Sequence, residues 1–400
     1  ILNEFTPEET RLLAAKTIFH FMSATLFFNV IVVPFNGVLI AHENMVWVAL
    51  VNIVETLLKL GIALILSVVA FDKLVIYGVL TAGVSVVSFL LCAAYCLKKY
   101  KDCSLSGLML KKDNVLLKEL TTFAGWNLFG TLCTIGRTQG LAIVLNMFLG
   151  AIINAAYGIA NQVAAQLNFF SATLLRALNP QIMKSEGAND RERMFRLSMM
   201  ASKFSFFLLA IVAIPCCFEM TPLLTLWLKN VPPNTVEFCQ LILIATLINQ
   251  FTIGLQSAAQ AIGDIKMYQI VIGSVLLLNL PVAYICLKLG FPVYTVIISY
   301  AIIELIACVL RLFFLKRTGG LSIKGYFSRV IAKEVFPIIV VVTSSWLITS
   351  YIEHPLRFLI TLPISSMLFA VTVYLFGLAD DEKILLNNFA KKLKAKLIKK

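Results

Sequence analysis

The sequence predicts an all-α polytopic membrane protein, and three observations carry that prediction. Of 400 residues, 60% are hydrophobic and only 14% are charged, whereas a soluble domain has roughly 45–50% apolar and about 25% charged residues. The apolar residues gather into about eleven unbroken runs, and a helical span needs about 20 residues. Lys and Arg lie between the runs and are divided unequally between alternate loops, as the positive-inside rule requires. A membrane β-barrel would show short alternating segments instead.

The runs cover about 17–41, 46–70, 74–97, 121–148, 151–178, 198–221, 238–262, 267–287, 292–314, 335–352 and 356–377, after a polar, acidic start at 1–12. Loop 98–118 holds six basic residues, 179–196 four, 315–333 five, the tail after Leu378 seven, and Lys266 adds one. These total 23, against five in the alternate loops: Arg11, Lys73, Lys229, Lys288 and Arg357. The basic loops and the C-terminus are therefore expected in the cytoplasm, and Ile1 outside. An outside start with no signal peptide implies an odd number of preceding helices. The first three spans also repeat the layout of spans seven to nine. Each trio has a short inside turn (His42-Glu43-Asn44 and Gly263-Asp264-Ile265-Lys266), a short outside turn and a basic loop. Two such units suggest a six-helix repeat, with three helices missing from the front.

The net charge of +13 does not predict nucleic-acid binding, because the cations sit in loops and tail. Nine cysteines lie almost entirely in apolar runs without metal-ligand spacing, and read as small hydrophobes. No metal or cofactor is expected. The tail, 380–400, sets Leu385, Leu386, Phe389, Leu393 and Leu397 among seven lysines. It reads either as a basic amphipathic helix on an anionic leaflet or as a solvated tail that fixes topology.

The chain reads as organised around Thr121 to Leu178, two apolar helices joined at Gly150-Ala151. The first carries Arg137 near its middle, with Asn127, Thr131, Thr134 and Thr138 along one side. The second carries Asn154, Asn161 and Asn168 at intervals of seven, with Gln162 and Gln166 beside them. An ionisable residue within a span faces a bundle interior or aqueous cavity and marks a functional site by default. The spacing puts these groups on common faces, so a polar cavity walled by this pair is expected. Asn249, Gln256 and Gln260 form a thinner stripe in the seventh span. Each amide could bind sugar hydroxyls, or simply join helices at about 0.6 kcal/mol per hydrogen bond.

Arg137 suits a phosphate or pyrophosphate, which its fixed donors can chelate; the alternative is a structural pair with a buried carboxylate. Glu55 and Lys59 stand four apart, in the order that favours an ion pair. They either neutralise each other or provide a carboxylate that couples transport to H+ or Na+. Glu304 has the same two readings, with Arg311 as possible partner. Arg176, Lys184 and Lys203 read as topology charges, and lone His20 as structural. Pro34, Pro215 and Pro281 bend spans, as hinges or as static kinks.

Three segments carry a family resemblance. They are Pro34-Phe35-Asn36-Gly37-Val38-Leu39-Ile40-Ala41-His42-Glu43-Asn44-Met45, Ala177-Leu178-Asn179-Pro180-Gln181-Ile182-Met183-Lys184-Ser185-Glu186-Gly187 and Gln260-Ala261-Ile262-Gly263-Asp264-Ile265-Lys266-Met267-Tyr268. The chain resembles the bacterial polysaccharide-biosynthesis transporters, the O-antigen and capsule flippases of the MOP (MATE-like) exporter superfamily. The likeness covers nearly the whole chain in helix order and loop lengths. It implies a MATE-like fold of two six-helix bundles facing a central cavity, often with two extra C-terminal helices. On that scheme 1–97 is the second half of the N-terminal bundle and 98–117 a basic loop. Residues 118–314 form the C-terminal six-helix bundle, 315–334 a second basic loop, 335–377 the extra pair and 378–400 the tail.

The function this implies is flipping of a lipid-linked oligosaccharide, of polyprenyl-phosphate type, across the bacterial inner membrane by alternating access. Such an O-antigen or lipopolysaccharide precursor step needs no covalent chemistry, so no enzyme is expected. A multidrug antiporter of the same superfamily would want an acidic cavity. A polysaccharide polymerase or glycosyltransferase would want a large outside loop bearing acids or bases, and 222–237 carries little. A membrane scaffold would leave the buried polar stripes without a purpose.

Overall fold

A computed structural model describes residues 7–68, 73–100, 103, 114–354 and 356–383. Among them all regular structure is helical and there is no strand. Nine helices among the described residues are long and apolar enough to cross a membrane. Two of the predicted runs fuse into α4 (Asn114–Gly187), which is broken at Gly150, where φ is 80° and ψ −179°. Only glycine adopts such a backbone readily, so Gly150 turns one arm of α4 into the next. A bent pair, α7 (Thr235–Gln250) and α8 (Ile253–Ile262), makes a further span with a 42° break. The surface carries large apolar side chains throughout, among them Val46, Leu64, Met147 and Met367. A helical surface of this kind satisfies its backbone internally and belongs in hydrocarbon. The chain is an all-α polytopic membrane protein.

Two predicted basic loops turn out to be mostly helix. α4 continues through Lys184 to Gly187, and α5 (Arg191–Phe218) begins after three intervening residues, capped by Asp190 accepting from the Arg193 N–H. The ninth span, α11 (Tyr294–Gly319), likewise continues through Lys316 and Arg317. Lys and Arg are good helix formers, so the helices extend past their apolar segments. The segment 222–237, expected outside, also overlaps a helix, α6 (Met220–Leu228). The predicted tail helix beyond Lys383 and most of loop 98–117 lie outside the described residues.

Packing divides the chain into units 1–113 and 114–400. The first holds α1 (Pro7–Ala41), α2 (Met45–Val68) and α3 (Lys73–Lys99). Its Pro34–Met45 segment ends α1 and passes through a clamped turn at His42–Asn44: Glu43 has φ 54°, and the Asn44 amide donates to the hydroxyls of Tyr95 (2.8 Å) and Tyr100 (3.0 Å). His42 stacks on Tyr100 and Trp47 on Tyr95, with ring centroids 4.1 and 4.0 Å apart.

In the second unit, the first arm of α4 runs alongside α9 (Ile265–Leu277) and α10 (Asn279–Lys288). Small residues allow the approach. A methyl group on Gly140 would come within 2.8 Å of Leu280, and one on Gly130 within 1.9 Å of the Gln269 amide oxygen. With no hydrophobic drive between helices in lipid, such close van der Waals contact is what binds them.

The last two spans, α13 (Ala332–Tyr351) and α14 (Phe358–Thr372), pack against α5. A one-turn helix, α12 (Ile323–Tyr326), and a π-helical turn, Phe327–Ile331, lead into α13. A second π-helical turn, Val373–Gly377, ends α14. Buried ion pairs pin this three-helix seam at both ends. At one, Arg357 Nε lies 3.1 and 3.0 Å from the two Glu219 oxygens, and Thr361 donates to the same carboxylate at 2.7 Å. At the other, Lys203 of α5 pairs with Glu382. The expectation that Lys203 marks topology is thereby corrected, since it is fully buried with a carboxylate for company.

Candidate functional site: a buried cavity with two arginines and one glutamate

A cavity of about 240 Å³ lies inside the second unit, between α4, α7, α8, α9 and α11. Its charged hub is Glu304 of α11. One carboxylate oxygen accepts from Arg137 Nη1 at 2.8 Å; the other accepts from the Asn249 amide at 2.6 Å and Arg311 Nη2 at 3.3 Å. Arg137 also donates to the Tyr300 hydroxyl at 2.7 Å. All three charges are at most 5% exposed. Glu304 supplies the only acidic side chain in the lining, so two guanidiniums face one carboxylate and the lining carries a net positive charge. The Nε groups of Arg137 and Arg311 are buried without a hydrogen-bond acceptor. A buried charged donor left unmade is costly.

Amides continue the lining toward the end of the unit where Ile262 and Gly319 meet. Gln256, Gln260, Gln269 and Asn127 face the space, and the Gln269 amide donates to Asn127 at 3.3 Å. At that end Lys266 sits 5.5 Å from the Trp126 ring centroid.

The break in the seventh span builds this geometry. α7 ends at Gln250, which brings Asn249 to the hub, and α8 restarts at Ile253. The backbone groups freed by the break find side-chain partners. The Phe251 carbonyl accepts from the Tyr326 hydroxyl, the Ile248 carbonyl from Cys308 Sγ at 3.2 Å, and the Gly254 N–H donates to Ser202 at 3.0 Å. Arg311 adds a bond to the Thr252 hydroxyl at 3.1 Å. A β-carbon on Gly254 would lie 2.1 Å from the Ser198 carbonyl oxygen, so only glycine fits there.

Of the sequence-predicted residues, Arg137, Asn127, Asn249, Gln256 and Glu304 meet in this cavity. The five amides of the second arm of α4 do not, which corrects the cavity expected between the two arms. Asn161 bonds its own helix at the Tyr157 carbonyl (2.9 Å), and Asn168 accepts from Gln250 at 3.0 Å. Gln162 and Gln166 line a shallow apolar groove with Leu223, Leu224 and Trp227, and Asn154 is half-buried outside the cavity. A seven-residue interval keeps groups on one helical side, but it does not say which neighbour that side meets.

Glu55 and Lys59 lie in the first unit as a 2.6 Å ion pair, Lys59 more than half exposed. Glu55 also accepts from Ser88 at 3.3 Å. That is the mutual-neutralisation reading. Gln269 and Tyr300 were not among the expected site residues: neither carries a charge or belongs to a spaced stripe of amides. The signal was Gly130, whose missing side chain makes room for Gln269. No protein-family model matches the chain, and no curated protein or solved structure does either.

Proposed function

We propose that the chain is a transporter that flips a lipid-linked oligosaccharide from the cytoplasmic to the outer face of a bacterial plasma membrane, with the MATE-like fold that the sequence resemblance implies and the cytoplasmic C-terminus that the basic loops imply. One observation carries the reading: the cavity sets two buried arginines against one glutamate and surrounds them with amides. A phosphate or pyrophosphate satisfies the surplus positive charge through charge-assisted hydrogen bonds, while Asn127, Gln256, Gln260 and Gln269 offer both donors and acceptors to sugar hydroxyls. The lipid tail needs no protein pocket, because the outer surface is already apolar. A cationic drug gains little here, since Glu304 is saturated by Arg137, Arg311 and Asn249.

The test deletes the gene and restores it as wild type, Arg137→Ala or Gln256→Leu. Lipid-linked oligosaccharide should accumulate on the cytoplasmic face, cleared by wild type and by neither variant. Unchanged surface glycan with altered drug efflux would establish the antiporter instead. Loss of polymer with single repeat units already outside would establish a polymerase.

A further inference from the structure

The seam between α5, α13 and α14 holds a second ionisable centre, separate from the cavity. Glu334, in the first turn of α13, is fully buried, and neither carboxylate oxygen has a hydrogen-bond partner. An isolated carboxylate in such surroundings costs far more than a neutral acid. Pro337 removes the N–H that would otherwise return to the Lys333 carbonyl, and a π-helical turn precedes the residue. Such turns are frequent at functional sites.

The groups that α13's neighbours bring can be named. α5 contributes Lys203, buried and paired with Glu382; the cations Arg191, Arg193 and Arg196 lie about two to three turns earlier, with Glu192 among them. α12 contributes the Tyr326 hydroxyl, held on the Phe251 carbonyl. The π-helical turns contribute Arg329 and Tyr374, both exposed. α14 itself has no titratable residue, and the segment after it brings Asp380, Asp381, Glu382 and Lys383. Lys203 is the charge that acts on Glu334. Glu382 already holds Lys203 and also accepts from the Ala379 N–H at 2.8 Å.

We propose that Glu334 is a proton-binding site, and that its ionisation draws Lys203 away from Glu382. With the proton on, the three groups are neutral in sum and Lys203 stays with Glu382. With the proton off, two carboxylates compete for one buried ammonium, and the segment carrying Glu382 loosens from α5. The ligand is a proton, and the site lies on helices that contribute nothing to the lining of the arginine cavity except through α5's bond to Gly254. The inference does not depend on the transported substrate.

Infrared difference spectra of the purified full chain between neutral and alkaline pH test it. Wild type should show the C=O band of a protonated carboxylic acid that disappears at high pH. Glu334→Gln should abolish that band, and Glu304→Gln should leave it. An environment-sensitive fluorescent residue at exposed Asp381 should report a shift over the same pH range, absent in Glu334→Gln. A band that survives Glu334→Gln, or a fluorescence shift unchanged by it, would overturn the proposal. So would a missing band together with stabilisation by Na+, which would assign the site to a metal cation.

Discussion

Arg137 and Glu304 stand 167 residues apart in sequence and meet at 2.8 Å in the interior of the second unit. Neither residue belongs to the other's helix, so the contact locks the first arm of α4 to α11. Glu304 simultaneously holds Arg311, seven residues along its own helix. The carboxylate thus serves as internal counter-ion to two arginines and fully neutralises neither. An anionic ligand that reached Arg137 would compete with Glu304, and the exchange would loosen the bond between α4 and α11. On the proposed reading, binding and helix movement would be coupled through that one carboxylate.

Glu304→Gln tests the structural side of this arrangement. It leaves two buried guanidiniums without a counter-ion, and breaking a buried pair from one side costs about 3–5 kcal/mol. Thermal unfolding in detergent should show a large drop in midpoint. Arg137→Gln combined with Glu304→Gln leaves Arg311 alone and should recover part of the loss. Transport should stay absent in both, because the second variant regains packing without regaining its anion donor. Transport by the double variant would remove Arg137 from the mechanism.

The amides divide sharply between the two arms of α4. Gln256→Leu and Gln269→Leu should each reduce surface glycan in a complementation assay, because both side chains face the cavity. Gln162→Leu and Gln166→Leu should complement like wild type, since their groove is apolar already. Equal damage from both pairs would mean that the transport path runs along the second arm.

How much of this was legible follows from what each signal measures. Apolar run length reports burial in lipid, so all eleven runs fall on helices, including the pair hidden in α4. Charge in a span reports cost, so Arg137 and Glu304 stood out; a buried carboxylate was the alternative partner for Arg137, and Arg311 the one for Glu304. Same-face spacing reports only local geometry, which is why Asn154, Asn161 and Asn168 looked equivalent to Asn127 and are not. Glu334 was hidden because it follows Lys333 at the end of a basic segment, where a carboxylate reads as solvated. The break at Phe251–Thr252 was hidden because it contains no proline. It depends on Tyr326, Cys308, Arg311 and Ser202, residues far apart in sequence that supply the missing backbone partners.

The seam's Glu219–Arg357 pin gives a separate stability prediction. Glu219 has no exposed surface and depends on Arg357 and Thr361. Arg357→Ala should destabilise the chain by on the order of 3 kcal/mol, the cost of stranding a buried carboxylate. Arg357→Lys keeps the charge but cannot reproduce the two-oxygen contact, and should fall between. Unfolding midpoints of the three proteins, with helicity followed by circular dichroism, decide the order.

Gly254 offers the sharpest test of the broken span. Gly254→Ala puts a β-carbon 2.1 Å from the Ser198 carbonyl oxygen and 2.9 Å from the Ser202 nitrogen. Both are backbone atoms of α5, so relief requires α5 and α8 to separate. Separation would also stretch the bond from the Gly254 N–H to Ser202 and move Asn249 relative to Glu304. The variant should express poorly or elute as aggregate in size-exclusion chromatography, and any folded fraction should be inactive. Gly158→Ala is the matched control, because nothing lies within 4 Å of its added methyl group. In a helix interior that exchange is favourable by up to about 1 kcal/mol, so Gly158→Ala should fold at least as well as wild type. If Gly254→Ala behaved like Gly158→Ala, the close contact between α5 and α8 would be wrong, and with it the placement of Asn249 at the charged hub.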